Sequence, residues 1–210
     1  MANDLKHVAF VGPAGVGKTF GLVNAVREHL LRAPLAPYQA VLGLTFMHGA
    51  RRRLTRKLHD ALGAHVRLEC LTIDSFALNL VRRYRRHIGM SGLIEVCSPV
   101  TSDWQHTEGQ HRAGLDRIRE AAIRLLVHPE IAAATGTAHP ILVVDEFQDC
   151  EEGLLAFVQS LSAVSASFIA ADDFQALSTT SEPPAVRWLC SNFDVTHLDH
   201  VHRTDEPHLL

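Results

Sequence analysis

A glycine-rich segment near the N-terminus contains the residue types that bind a polyphosphate. It consists of Gly12, Pro13, Ala14, Gly15, Val16, Gly17, Lys18 and Thr19. Its three glycines allow the backbone to wrap closely around an anion, at φ values that a side chain would penalise. Backbone N–H groups and the positive end of a following helix would then face the phosphates. Lys18 is placed to neutralise the β- and γ-phosphates, and the Thr19 hydroxyl to bind Mg²⁺.

The elements on either side of this segment have the arrangement that a phosphate-binding loop requires. An apolar run at residues 7–11 predicts a strand before it, and residues 20–31 have helical periodicity after it. This strand, turn and helix favour a P-loop over a chance glycine turn. The segment therefore predicts binding of a nucleoside triphosphate with Mg²⁺, and it leaves open the process that hydrolysis would drive.

Polar side chains at the predicted ends of three later strands fit the same chemistry. In open α/β sheets, ligands bind beyond the carboxyl ends of the strands. Asp145 is predicted to hold the Mg²⁺, directly or through water, and Glu146 to orient and deprotonate the attacking water. Gln175 is predicted to hydrogen-bond the γ-phosphate or that water, and Arg203 to neutralise charge on the transferring phosphoryl group.

Apolar runs separated by helical patterns predict a parallel sheet with helices on both faces. The predicted strands cover residues 7–11, 41–45, 66–71, 141–144, 167–171 and 195–198. The predicted helices cover residues 20–32, 50–62, 112–126 and 151–164, with one more from a cap at Asp74 or Ser75 to about His87. We expect one α/β P-loop domain over residues 1–210. Within it, residues 89–140 are predicted to form a reduced helical insertion, with loops at 89–109 and 135–137.

The composition favours a cytoplasmic protein with a sizeable core. The apolar fraction is 47%, and no apolar run approaches the roughly 20 residues that span a bilayer. No signal-peptide pattern precedes the P-loop, and the four cysteines are scattered without CxxC pairing, which favours reduced thiols. Four histidines near the C-terminus make a metal site conceivable, but no cysteine or carboxylate at ligand spacing requires one. These are His197, His200, His202 and His208.

Charge is distributed unevenly along the chain. Residues 1–100 contain 14 Lys and Arg against 6 Asp and Glu, whereas residues 101–210 contain 6 against 17. A basic half of this kind can face nucleic acid. Alternatively, the two halves neutralise each other by packing, and charge alone leaves both interpretations open.

Five segments, in this order, resemble motifs of the superfamily 1 DNA helicases of the UvrD/Rep/PcrA group. Residues 44–50, continuing to Leu54 and Leu58, resemble the segment TFTNKAAxEMxxRL, and residues 72–77 resemble TxHSFA. The DEFQD of residues 145–149 resembles the DExxQD form of the Walker B motif. Residues 171–175 resemble GDDDQ, and residues 198–204 resemble LxxNYRS. Together with the P-loop, these segments extend over most of the chain.

This resemblance implies a RecA-like domain that hydrolyses ATP with Mg²⁺ and grips single-stranded DNA along one face. Bases would stack on Phe46 and Phe76, while Arg52 and Arg56 would follow the phosphates. For Phe76, packing in the core is an equal alternative, because its helix is apolar on both sides of it.

The chain also departs from the family pattern. Phe20 stands where the family often has an arginine near the base, Asp74 replaces the usual histidine, and Gly49 replaces the usual lysine. The family's second motor domain is not found in the 210 residues, so we expect a second motor domain or a partner protein to supply the opposite wall of the ATP site.

Our interpretation is the N-terminal motor domain of a UvrD/Rep-like helicase, whose ATP hydrolysis drives DNA translocation once the second domain is supplied. The main alternative is a non-motor ATP-binding module that regulates partner contacts. A small-molecule kinase is a further alternative, and the DEFQD segment after a late strand argues against it.

Overall fold

A computed structural model describes residues 5–97, 103–172 and 184–199. A six-stranded sheet of parallel neighbours, in the order β3-β2-β7-β8-β1-β9, forms its centre. Its strands are β1 (His7–Val11), β2 (Val41–Thr45), β3 (Leu68–Thr72), β7 (Ile141–Val144), β8 (Ala166–Ala171) and β9 (Asp194–His197). The helices are α1 (Lys18–Arg32), α2 (His48–Leu62), α3 (Ile73–Tyr84), α4 (Leu115–Val127), α5 (Pro129–Ala138), α6 (Glu152–Ser162) and α7 (Pro184–Asn192).

The three strands β2, β7 and β8 are buried along their whole length. Each is a nearly continuous apolar run, as expected where helices cover both faces of a parallel sheet. Leu22 and Val26 of α1, with Leu54 and Leu58 of α2, pack with Phe168 in one buried cluster. A second cluster brings α3, α4 and α6 against the sheet. The expected α/β fold is therefore confirmed.

The cap of helix α3 lies two or three residues before its predicted position, Asp74 or Ser75. Thr72 is the capping residue, because its hydroxyl accepts a hydrogen bond from the Ser75 N–H at 3.2 Å. Asp74 is instead held by Arg119 of α4, whose Nε lies 2.6 Å from Asp74 Oδ1. The helix ends at Tyr84 and is followed by a one-turn 3₁₀ helix, Arg85–Ile88, rather than continuing to His87.

The region 89–140 contains more regular structure than predicted. A second sheet, in the order β4-β6-β5, consists of β4 (Leu93–Val96), β5 (Gln105–Thr107) and β6 (Gln110–Ala113). Two of these strands lie in the segment predicted as a loop, and residues 135–137 lie inside α5. Both loop predictions are therefore wrong. The strands are short and only Ile94 and Ala113 are buried in them, which is too few residues to produce an apolar alternation.

Other boundaries differ from the prediction by a few residues. Strand β3 begins two residues later, helix α4 begins three residues later after Gly114, and β9 is shifted by one residue. In the described part of the chain, no helix combines the length and apolar character needed to cross a membrane. The division of residues 1–210 into one domain with an inserted subdomain stays a prediction.

Candidate functional site

The loop between β1 and α1 contains the predicted phosphate-binding glycines. Gly15 and Gly17 have φ values of 86° and 89°, in the left-handed region that favours glycine. Gly12 is required for another reason, because a Cβ atom there would lie 2.3 Å from the carbonyl oxygen of Leu198. Leu198 in turn donates its N–H to Val11 at 2.8 Å, so the start of the loop is packed against the end of β9.

The ammonium group of Lys18 lies over the loop at the N-terminus of α1. Its Nζ donates to the carbonyl oxygens of Gly12 at 2.6 Å and Pro13 at 2.8 Å. It also forms an ion pair of 3.5 Å with Asp172, at the end of β8. Both side chains are nearly buried, with 10% and 11% of their surface exposed, so bulk water screens their attraction little.

The carboxylate of Asp145 follows β7 and faces the same loop. Thr19 Oγ1 donates to Asp145 Oδ2 at 3.4 Å. Burial raises the pKa of Asp145 and the neighbouring charge of Glu146 raises it further, while Lys57 of α2 opposes both. A bound cation would favour the ionised carboxylate.

The Thr19 hydroxyl and the Asp145 carboxylate suit an Mg²⁺ ion that is also bound by a substrate. No group of three or more His, Cys, Asp or Glu side chains in the described ranges could hold a metal ion. Mg²⁺, however, is commonly bound by one or two carboxylates together with substrate phosphates. Thr19 and Asp145 therefore fit an ion that arrives with a nucleotide.

Glu146 has an unusual backbone conformation. Its φ of 59° is the only positive value at a non-glycine position in the described chain. Its N–H donates to Asp145 Oδ1 at 3.2 Å, and its carboxylate accepts a hydrogen bond of 2.8 Å from Gln148 Nε2. The other end of that amide, Gln148 Oε1, accepts the backbone N–H of Asp172 at 2.8 Å. Glu146 is thus connected through one amide to the end of β8.

One cavity of about 660 Å³ brings these groups together. The P-loop, Asp145, Glu146 and Asp172 line it on one side. Side chains of α1 and α2 line the remainder, namely Phe20, Val23, Asn24, Lys57, Asp60 and Ala61. Phe20 is 74% exposed, so its ring has a free face toward the cavity.

Sequence reasoning missed part of this site. Lys57 is one of several basic residues in the helix predicted over residues 50–62, and Gln148 lies within the DEFQD segment at a position to which the sequence assigns no role. The position of Gln148 in that segment was a signal that could have identified it. Nothing in the sequence pointed to Lys57, because its proximity to Asp145 depends on the packing of α2. Gln175 and Arg203, like His200, His202 and His208, lie outside the described residues.

The two aromatic candidates for DNA contact lie in different surroundings. Phe46 is half-buried at the end of β2, with its ring 6.4 Å from that of Phe147, and it lines an open groove with Met47 and Ser75. Phe76 is only 4% exposed and packs near Phe157, with 6.2 Å between ring centroids. The ring of Phe76 therefore has no free face for a base, and the core alternative describes it correctly.

The two arginine candidates lie on the exposed surface of α2. Arg52 and Arg56 line a groove that continues to His59 and to Cys70 of the edge strand β3. Neither arginine forms an ion pair with a described carboxylate. Their charges are therefore available to an external anion.

Comparison with known families agrees with this geometry. The model of the UvrD/REP helicase N-terminal domain matches residues 2–112, just over half of the chain. The matched segment includes the P-loop and helix α2, while Asp145, Glu146 and Asp172 lie beyond it. No curated protein matches the chain.

Proposed function

Because the chain belongs to the UvrD/REP helicase N-terminal domain family, we propose that it binds and hydrolyses ATP with Mg²⁺ as a motor domain acting on single-stranded DNA. One observation carries this proposal. The cavity at the carboxyl edge of the sheet is lined by a glycine-rich loop, two lysines, a hydroxyl group and four carboxylates. Such a set suits a triphosphate with its cation.

The P-loop residues bind the phosphates in this proposal. The backbone N–H groups of residues 14–19 face the anion at the N-terminus of α1, where the helix dipole favours negative charge. Lys18 exchanges its hydrogen bonds to the carbonyls of Gly12 and Pro13 for bonds to the β- and γ-phosphates. Thr19 and Asp145 hold Mg²⁺, which supplies charge neutralisation at the phosphate oxygens.

Glu146 acts as the general base for the attacking water. Its carboxylate lines the cavity beside Asp145, at the edge where the γ-phosphate would lie. Gln175 and Arg203 would complete the site by contacting the γ-phosphate and its developing charge. Their assignment rests on the resemblance of their segments to helicase motifs.

Single-stranded DNA would lie along the surface formed by the end of β2 and helix α2. Phe46 offers a ring for base stacking, and Arg52 and Arg56 offer charges for the phosphates. The family implies a second motor domain, which we propose is supplied by a longer protein or by a partner. That domain would close the ATP site and couple hydrolysis to translocation along DNA.

Titration calorimetry with MgATP tests the nucleotide site. Lys18→Ala should lower the affinity at least about 30-fold, because loss of one partner of a desolvated charge pair costs about 2–5 kcal/mol. Lys6→Ala, which removes a lysine outside the cavity, should leave the affinity unchanged. Circular dichroism would verify that both variants are folded. Unchanged affinity in the folded Lys18→Ala variant would contradict the P-loop assignment.

Phosphate release with and without single-stranded DNA tests the motor role. Hydrolysis that DNA stimulates would support a motor domain. Binding of ATP without hydrolysis, and without any effect of DNA, would instead support the non-motor regulatory module.

A further inference from the structure

The side chain of Gln148 connects the residues that follow two neighbouring strands, Glu146 after β7 and Asp172 after β8. It lies in the one-turn 3₁₀ helix Phe147–Asp149, directly after Glu146. The Asp172 N–H can only donate a hydrogen bond, so the carbonyl end of the amide must face β8. Its NH₂ end must then face the Glu146 carboxylate, which can only accept when ionised. The orientation of the amide is therefore determined by its two partners.

The backbone that carries this amide is firmly anchored. Phe147 is completely buried, and its ring lies 5.8 Å from that of Trp188 and 6.4 Å from that of Phe46. The side chain of Glu146 is only half-buried and lines the open cavity. A half-buried glutamate in a left-handed backbone conformation is thus held by an amide on a turn that is anchored in the core.

The same amide connects Glu146 with the P-loop lysine. Asp172 donates its backbone N–H to Gln148, while its carboxylate pairs with Lys18 at 3.5 Å. Three contacts therefore link the ammonium group that would bind the phosphates to the carboxylate that would activate water.

We propose that Gln148 is a positioning residue that fixes the orientation of the Glu146 carboxylate relative to β8 and the P-loop lysine. This inference rests on the proposed function, because it concerns the reaction that Glu146 serves there. Gln148 itself acts only through Glu146, so its loss should affect turnover and leave nucleotide binding in place.

Steady-state phosphate release by a double-mutant cycle tests the proposal. Gln148→Ala should lower kcat about 10- to 100-fold with little change in KM, since misplacing a catalytic group by 1 Å can cost about 10² in rate. In a Glu146→Gln background, the same change should cause almost no further loss, because the carboxylate that it positions is already absent. Gln159→Ala on α6 is the matched control and should leave kcat unchanged.

A merely structural role would give a different result. An equal loss of kcat in both backgrounds, or a loss of MgATP affinity in Gln148→Ala, would overturn the proposal.

A second measurement examines the contact without relying on hydrolysis. The side-chain NH₂ resonance of Gln148 in an NMR spectrum, assigned by its absence in Gln148→Ala, should shift in Glu146→Ala and stay in place in Glu151→Ala. If the wild-type protein hydrolyses no ATP, the proposed function fails, and this resonance still decides the contact. A resonance that is insensitive to Glu146→Ala would overturn the positioning role.

Discussion

At the residue scale, the surroundings of Asp145 in the cavity disfavour its negatively charged form. Burial and the neighbouring Glu146 both raise the pKa of Asp145, and only Lys57, the Thr19 hydroxyl and one backbone N–H oppose them. Ionised Asp145 is therefore disfavoured in the nucleotide-free protein relative to an exposed aspartate. A divalent cation at this position would reverse that preference, which agrees with a site built for a metal–nucleotide complex.

Glu146→Gln separates binding from chemistry at this site. The variant keeps the size of the side chain and can still accept a hydrogen bond from Gln148, but it cannot take a proton from water. We expect MgATP affinity to persist in calorimetry while phosphate release falls about 10²–10⁴-fold. Glu151→Gln, at the exposed N-cap position of α6, should leave both quantities unchanged.

A different result in calorimetry and phosphate release would change the role assigned to Glu146. Equal losses of affinity and turnover would make it a structural residue or one linked to Mg²⁺.

At the element scale, the backbone of helix α5 lies close to the backbone of the segment that follows α6. A Cβ atom on Gly136 would lie 2.3 Å from the carbonyl oxygen of Val164, which follows α6. Glycine inside a helix costs about 0.5–1 kcal/mol relative to alanine, so its presence here needs a reason. The close approach of the backbones supplies that reason.

Alanine substitutions at two helical glycines should therefore have opposite effects. Gly136→Ala should lower the free energy of unfolding by about 1–3 kcal/mol, as expected of overpacking. Gly153→Ala in α6, where a Cβ would meet no atom within 4 Å, should raise it by about 0.4–1 kcal/mol. Urea unfolding with an unchanged slope measures both changes. Stabilisation by Gly136→Ala would show that α5 does not pack as described.

At the scale of the whole molecule, no Lys or Arg side chain of α2 forms an ion pair with a carboxylate that the structure describes. Arg52 and Arg56 line one groove beside that helix, and Lys57 lines the cavity on another side of it. One helix thus presents positive charge both to the nucleotide site and to the outer surface. This arrangement favours the nucleic-acid interpretation over mutual neutralisation of the two halves.

Charge reversal tests that surface. The double variant Arg52→Glu with Arg56→Glu should weaken binding of a single-stranded oligonucleotide and flatten its salt dependence. Each lost phosphate contact removes about 0.7 from the slope of log K against log salt. The same reversal at Arg27 and Arg32, exposed in the C-terminal half of α1, is the control and should change the slope little. Absence of salt-dependent binding by the wild type would argue against a DNA role.

The sequence by itself determined the fold class and the residues of the P-loop edge. Continuous apolar runs such as 141–144 identify central parallel strands, since both faces of such strands are covered. Asp145 and Glu146 directly follow β7, and Lys18 and Thr19 follow the loop after β1, so local order along the chain was enough to predict that they share one edge of the sheet.

Only the tertiary structure decided which other residues complete the site and which candidates do not. The contact of Gln148 with Asp172 joins two strand ends, and the position of Lys57 at the same cavity as Asp145 depends on how α2 packs. The burial of Phe76 follows from its facing Phe157 across the core. None of these has a local signal, because each depends on the packing of residues that are distant in the chain. The small sheet β4-β6-β5 was missed for the same reason, since its pairing, and not an apolar period, defines its strands.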